Sequence, residues 1–156
     1  MDFLSLTTFV HLVGAVTWLG GIIYINLVLV PIVKTLEPST AGKLMGENAK
    51  RFSILAWVSI GLLIITGLIM LDADALFDFS TDFGTFLTLK LITVFIMITI
   101  GLYITLLLAP KIRKLAPAEG DAPTPEFLNL QKRLPLLIRT NMILGILVLF
   151  FVSMII

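Results

Sequence analysis

Residues 3–33 read FLSLTTFVHLVGAVTWLGGIIYINLVLVPIV, without an acidic residue, lysine or arginine, and with His11 as the one basic side chain. As an α-helix this stretch would be roughly 45 Å long, whereas the hydrocarbon core of a bilayer is ~30 Å thick. It is also too long for the apolar core of a signal peptide, and no basic residue precedes it. The stretch therefore predicts a tilted transmembrane helix that is not cleaved off.

Three further apolar stretches follow, at about residues 52–71, 83–109 and 134–156. The 156-residue chain is 58% hydrophobic and only 13% charged, with a mean hydropathy of +1.09, which excludes an ordinary soluble protein. Four strands cannot close a barrel, so only helices can satisfy the backbone within a membrane. The sequence predicts an all-α integral membrane protein, in which residues 1–156 form a single transmembrane domain folded as a four-helix up-down bundle.

The charges predict how the chain is oriented. Nine of the eleven basic residues fall in the first and third connectors, whereas the second connector carries four aspartates and no basic residue. By the positive-inside rule, the first and third connectors face the cytoplasm and both termini are extracytoplasmic, as in a multi-pass protein of the cell membrane. The basic residues concerned are Lys34, Lys43, Lys50, Arg51, Lys111, Arg113, Lys114, Lys132 and Arg133.

The connectors contain recognisable breaks. Residues 37–40, Glu-Pro-Ser-Thr, indicate a stop followed by a cap, and residues 41–50 are expected to form a short helix at the cytoplasmic surface. Residues 116–125 are rich in proline and small side chains, which is typical of a mobile loop. Residues 124–126, Thr-Pro-Glu, predict the start of a helix that leads into the fourth span. No internal repeat is evident.

Composition also limits the chemistry. Without cysteine there is no disulfide, thiolate metal site or iron–sulfur cluster, so metal binding has to rest on one histidine, six methionines and the carboxylates. Motifs for nucleotide binding, for a nucleophile elbow and for a zinc protease are missing from the sequence. The expected partners are the lipid bilayer and either a second copy of the chain or a larger membrane complex, but no nucleic acid. Whether the protein is an enzyme stays open.

Three basic side chains lie inside predicted spans, where an unpaired charge costs several kcal/mol: His11, Lys90 and Arg139. His11 and Lys90 both lie roughly 10–12 Å below the outer boundary, whereas Arg139 enters from the other side and can reach the cytoplasmic headgroups. Each has a simpler explanation, since His11 can hydrogen-bond to a neighbouring helix and Lys90 can extend to the interface.

Helical periodicity indicates which residues share a face with these two. Gly14 and Trp18 lie within about 60° of His11, and Met97 lies about 20° from Lys90. If the two faces meet, a pocket in the outer half of the bundle contains an imidazole, an ammonium group and a thioether. Met97 and Met70 are candidate metal ligands, although methionines in an apolar chain mostly serve packing.

His11, Trp18, Gly20 and Gly21 form the pattern H-x6-W-x-G-G. This pattern resembles the first helix of the CopD copper-resistance membrane domain. Parts of the later helices resemble short CopD-like proteins. The chain is also similar to the HemJ-type protoporphyrinogen oxidases, which have a histidine and a tryptophan in an early helix, a lysine opening a later one, and bind haem b. The residues that carry the resemblance are His11, Trp18, Gly20, Gly21, Pro31, Arg51, Phe52, Trp57, Thr66, Gly67, Leu89, Lys90, Leu91, Arg139 and Asn141.

The resemblance implies that His11 is a ligand and Lys90 its companion, with Trp18 and Met97 completing a cofactor-binding set. For copper, His11 and Met97 are the expected metal ligands. For haem b, His11 would need Met97, Lys90 or the histidine of a second copy as the other axial ligand. Three functions follow: binding or transport of copper in the outer half of the bundle, a haem b protein in electron transfer or porphyrinogen oxidation, and a non-catalytic subunit of a larger membrane complex.

Overall fold

The computed structural model describes residues 2–117 and 122–155, apart from the side chains at 38 and 39, and every regular element within them is helical. The helices are α1 (Phe3–Val33), α2 (Pro38–Ile69), α3 (Asp82–Lys114) and α4 (Pro125–Ser153). Each is long and apolar enough to cross a membrane, so the expectation of an all-α, four-span membrane protein is confirmed.

The helix bounds correct one expectation and confirm another. No separate surface helix exists at residues 41–50, because α2 runs without interruption from Pro38 into the second span. After Pro38 in its first turn, the helix contains no further proline. Residues 41–50 include Ala, Lys, Leu, Met and Glu, which propagate a helix readily. The fourth helix begins at Pro125, with the Thr124 hydroxyl accepting a hydrogen bond from the Phe127 N–H, as the sequence indicated. The loop expected at residues 116–125 lies partly outside the described residues.

The chain divides into two compact units, each a pair of antiparallel helices. The first hairpin, Met1–Leu76, contains α1 and α2, and the second hairpin, Phe77–Ile156, contains α3 and α4. In the first hairpin the helices approach closely where α1 has glycine. A Cβ on Gly14 would lie 3.2 Å from Leu63 Cγ, and one on Gly21 would overlap the Phe52 ring.

Both α1 and α3 contain a wide turn near their carboxyl ends. The π-helical segments are Ile25–Leu29 and Ile104–Leu108, and a proline follows each of them, at Pro31 and Pro110. Proline has no N–H, and its ring collides with the carbonyl four residues earlier in a regular helix. A local widening relieves that collision, so the prolines account for both distortions.

The segment that precedes α3 is fixed by side-chain hydrogen bonds. Phe77 has a positive φ of 60°, and its N–H donates to the Thr88 hydroxyl at 3.0 Å. The Asp78 carboxylate accepts from the hydroxyl and the backbone N–H of Ser80, and these bonds lower the pKa of Asp78 below its usual value of 3.8. The Thr81 hydroxyl caps α3 by accepting from the Gly84 N–H.

Candidate functional site around His11

His11 of α1 is hydrogen-bonded across the first hairpin to Thr66 of α2. The distance between His11 Nδ1 and Thr66 Oγ1 is 2.8 Å. Thr66 is buried and His11 is half-buried. The histidine is therefore held between two helices, as in the simpler explanation, and Thr66 is one of its partners.

The hydrogen bonds of Thr66 indicate which nitrogen of His11 carries a proton. Thr66 Oγ1 lies 2.6 Å from the Leu62 carbonyl of its own helix, so its single proton is directed there. The hydroxyl oxygen then accepts from His11, so Nδ1 carries a proton, and in the neutral form of the ring Nε2 is the nitrogen that would carry the lone pair. This is the arrangement by which proteins orient a ligating histidine, with one ring nitrogen donating to a fixed acceptor.

A thioether lies at the same end of the first hairpin. Met70 caps the carboxyl end of α2, and its Sδ is 3.4 Å from the Thr8 hydroxyl of α1. Met70 follows Thr66 by one helical turn, and Thr8 precedes His11 by nearly one turn. Thr66 and Met70 lie about 6 Å apart along the axis of α2. Because each contacts α1, the sulfur and the imidazole both lie at the seam between α1 and α2.

Small residues allow this close approach of the two helices. A Cβ on Gly14 would be 3.3 Å from the carbonyl oxygen of Ser59, which is closer than ordinary contact. Gly67 lies directly against the imidazole, and a Cβ there would be in van der Waals contact with His11 Cε1, at 3.5 Å. Trp18 lies two turns deeper than His11 on the same side of α1 and is buried. The predicted face of α1, with His11, Gly14 and Trp18, is thus the face that packs in the protein.

Two of the expected site residues belong to the second hairpin. Met97 is buried, with 2% of its surface exposed, and Lys90 is half-buried. The expectation that they line one pocket with His11 stays a prediction. Arg139 of α4 is exposed, which agrees with an interfacial position.

Two residues of this seam were not predicted to belong to the site: Thr66, which entered only through the family resemblance, and Thr8. The sequence did contain one indication of Thr66. It is a hydroxyl residue about one turn before the end of the second apolar stretch, near the depth expected for His11. Among the described residues, no three His, Asp or Glu side chains lie together in a way that could hold a metal ion. The donors around His11 are an imidazole, hydroxyls and a thioether.

The fold and this site define an integral membrane protein of four helices with a polar seam at one end of its first hairpin. Residues 46–155 match the family described as copper resistance protein D, CopD, and the chain belongs to that family. The matched range includes Thr66, Met70 and Lys90, and it begins after the helix that contains His11 and Trp18.

One curated relative is an uncharacterized protein of Aquifex aeolicus (strain VF5), which is 36% identical over 66 residues. The alignment covers 42% of this chain and 46% of that protein, so the chain spans less than half the length of the curated relative it matches. No solved structure matches the chain.

Proposed function

We propose that this CopD-family protein binds cuprous copper at the seam between α1 and α2, with His11 Nε2 and Met70 Sδ as ligands. The observation that supports it is the 2.8 Å hydrogen bond from His11 to Thr66, which orients the ring as ligating histidines are oriented. The description of the family, copper resistance, agrees with copper as the cargo.

The donor set suits a soft monovalent ion. Thioether and imidazole ligands select Cu(I), whereas Mg²⁺, Ca²⁺ and Mn²⁺ prefer carboxylate and carbonyl oxygens. Zinc usually takes four ligands from cysteine, histidine and carboxylates, and the first hairpin offers one imidazole.

Met70 replaces Met97 as the sulfur ligand in this proposal. Met70 shares a hairpin and a seam with His11, as its contact with Thr8 shows. Met97 belongs to the second hairpin, and nothing in the geometry of the first hairpin calls for it. The two assignments make different predictions, so they can be separated by substitution.

The test is a titration of the purified, reduced protein with Cu(I) against a chromophoric Cu(I) chelator, in detergent or nanodiscs. We expect binding of one equivalent, its loss in H11A, and an affinity at least tenfold weaker in M70L. M154L is the matched control, because Met154 caps α4 as Met70 caps α2, and it should bind as the wild type does. If M97L weakens Cu(I) binding and M70L does not, Met97 is the sulfur ligand, as the family resemblance implied. Unchanged Cu(I) binding in H11A would refute the proposal.

Haem b is the second candidate, and the same observation favours it. An axial histidine also needs one nitrogen on the iron and the other donating to a fixed acceptor, as His11 donates to Thr66. An absorption spectrum of protein from haem-replete cells separates the two candidates. A Soret band that disappears in H11A would support haem and overturn the copper proposal. No band and no copper binding would leave a structural role in a larger membrane complex.

A further inference from the structure

The connector that leads into α3 turns back along that helix before it begins. The Phe77 N–H donates to the Thr88 hydroxyl at 3.0 Å, and Thr88 comes six residues after the helix start at Asp82. Six residues of α-helix rise about 9 Å, so the connector descends by roughly that distance beside α3 and then climbs again. Phe77 therefore lies deeper along the axis of α3 than the first turn of the helix.

The climb back to α3 is held in place by hydrogen bonds. The Asp78 carboxylate accepts from the N–H and the hydroxyl of Ser80 and from the Thr81 hydroxyl, and the Thr81 oxygen accepts from the Gly84 N–H. Residues 77–81 are thus tied to α3 at both ends. Their depth along the helix is fixed by these bonds.

Two phenylalanines of this segment have exposed rings. Phe77 is 68% exposed and Phe79 is 64% exposed. Phe77 also has a φ of 60°, a conformation that glycine or asparagine adopts far more easily than a bulky residue does. If this position faced water, a smaller residue would relieve the backbone and would leave no apolar ring hydrated. The residue type therefore favours a lipid environment.

The descent brings Phe77 to the expected edge of the hydrocarbon core. Residues 91–110 of α3 carry no charge, and Lys111 follows them. A core of ~30 Å takes about 20 residues of an upright helix and up to about 25 of a tilted one. Counted back from Lys111, the core begins between about residues 86 and 91, which is the level of Thr88. Without the descent, Phe77 would lie about 9 Å closer to the water.

The surface around this level is also aromatic. Phe86 packs against Phe150 and Phe151, with ring centroids 6.5 Å and 6.1 Å apart, so the end of α4 lies at the same level. Phe83 and Phe150 are 42% and 50% exposed. With Phe77 and Phe79, six of the eleven phenylalanines lie at this end of the second hairpin, and an exposed apolar patch of this kind marks an interaction surface.

We propose that residues 77–81 form a wedge that inserts the rings of Phe77 and Phe79 into the outer leaflet, just below its phosphate groups. The partner is the upper part of the lipid acyl chains, which accept an apolar ring. The carboxylate between the rings, that of Asp78, is bonded towards the start of α3, so it does not have to enter the lipid with them. The wedge is independent of copper, and the leaflet is the outer one in the predicted orientation.

The insertion is tested with both rings in place. The full chain carries fluorine-labelled phenylalanine in phosphatidylcholine nanodiscs, and the fluorine NMR signals are assigned with F77L, F79L and F95L. We expect dissolved oxygen, which concentrates in lipid, to broaden the signals of Phe77 and Phe79, and a water-soluble nickel chelate to affect them little. Phe95 is the matched control, because its ring is 71% exposed in the middle of α3. Broadening by the chelate would place the rings in water, and protection from both agents would indicate a protein contact; either result would overturn the wedge.

The descent is tested separately, and the chain suits this because it has no cysteine of its own. Spin labels on D74C, F79C and L149C are compared by power-saturation EPR in the same nanodiscs. Leu149 is 49% exposed and precedes Phe150, so it reports the level of the aromatic patch. We expect the label at residue 79 to lie within a helical turn, about 5 Å, of the depth at residue 149, and the label at residue 74 to lie in water. A label at residue 79 as shallow as the one at residue 74 would overturn the descent.

Discussion

Replacing Thr66 with valine removes the acceptor of the His11 hydrogen bond at nearly constant volume. A hydrogen bond between membrane helices contributes on average about 0.6 kcal/mol, so T66V should destabilise the protein by less than about 1 kcal/mol. Loss of the group that orients a metal-bound histidine usually weakens metal affinity 10- to 100-fold. That factor corresponds to about 1.4–2.7 kcal/mol, so the effect on Cu(I) affinity should exceed the effect on stability.

T93V is the matched control for this experiment. Thr93 and Thr66 are similarly buried, at 7% and 6% exposure, and each hydroxyl donates to a carbonyl one turn earlier in its own helix. Both variants lose that internal bond, but only T66V loses the bond to His11. The assay is the Cu(I) titration together with thermal unfolding of the same samples, and T66S should restore affinity because it keeps the hydroxyl. Equal affinities of T66V and T93V would refute the role assigned to Thr66.

Three further predictions follow from the structure. G21A should destabilise the first hairpin by about 1–3 kcal/mol in an unfolding titration, because the new Cβ would overlap the Phe52 ring. G20A is the control and should be neutral or stabilising, because a Cβ on Gly20 would have no neighbour within 4 Å. Equal effects of the two variants would show that the ring moves aside. S80A should raise the pKa of Asp78 towards 3.8 in an NMR titration, and an unchanged pKa would contradict the hydrogen-bond assignment. Because folding lowers this pKa, the carboxylate stabilises the protein at pH values above its pKa in the unfolded chain. That contribution is lost as the pH falls through its pKa in the folded protein. Cysteines placed at residues 43 and 132 should react with an impermeant thiol reagent only from the cytoplasmic side, and one at residue 74 only from the outside, and the opposite pattern would reverse the predicted orientation.

The spans could be predicted from the sequence because the burial of apolar helices in lipid depends on composition over about twenty residues, which single substitutions hardly change. The extension of α2 back to Pro38 could not be predicted in this way. The first turns of this helix are polar, and only their continuity with the span makes them helical. His11 stood out because a basic group in a span is costly, while Thr66 did not, since a threonine in a membrane helix can satisfy its hydroxyl on its own backbone.

The wide turns before Pro31 and Pro110 have a consequence for the length of the chain. A π-helical turn holds about one residue more than an α-helical turn, so each of these helices contains one residue that a regular helix would not need. Deleting one residue from either π-helical segment, together with replacement of the following proline by alanine, should yield a straight helix. The residues on both sides of the deletion should then keep the same orientation towards the packed helix. The carboxyl-terminal thirds of α1 and α3 are therefore the places where these spans can lose a residue without changing which side chains meet.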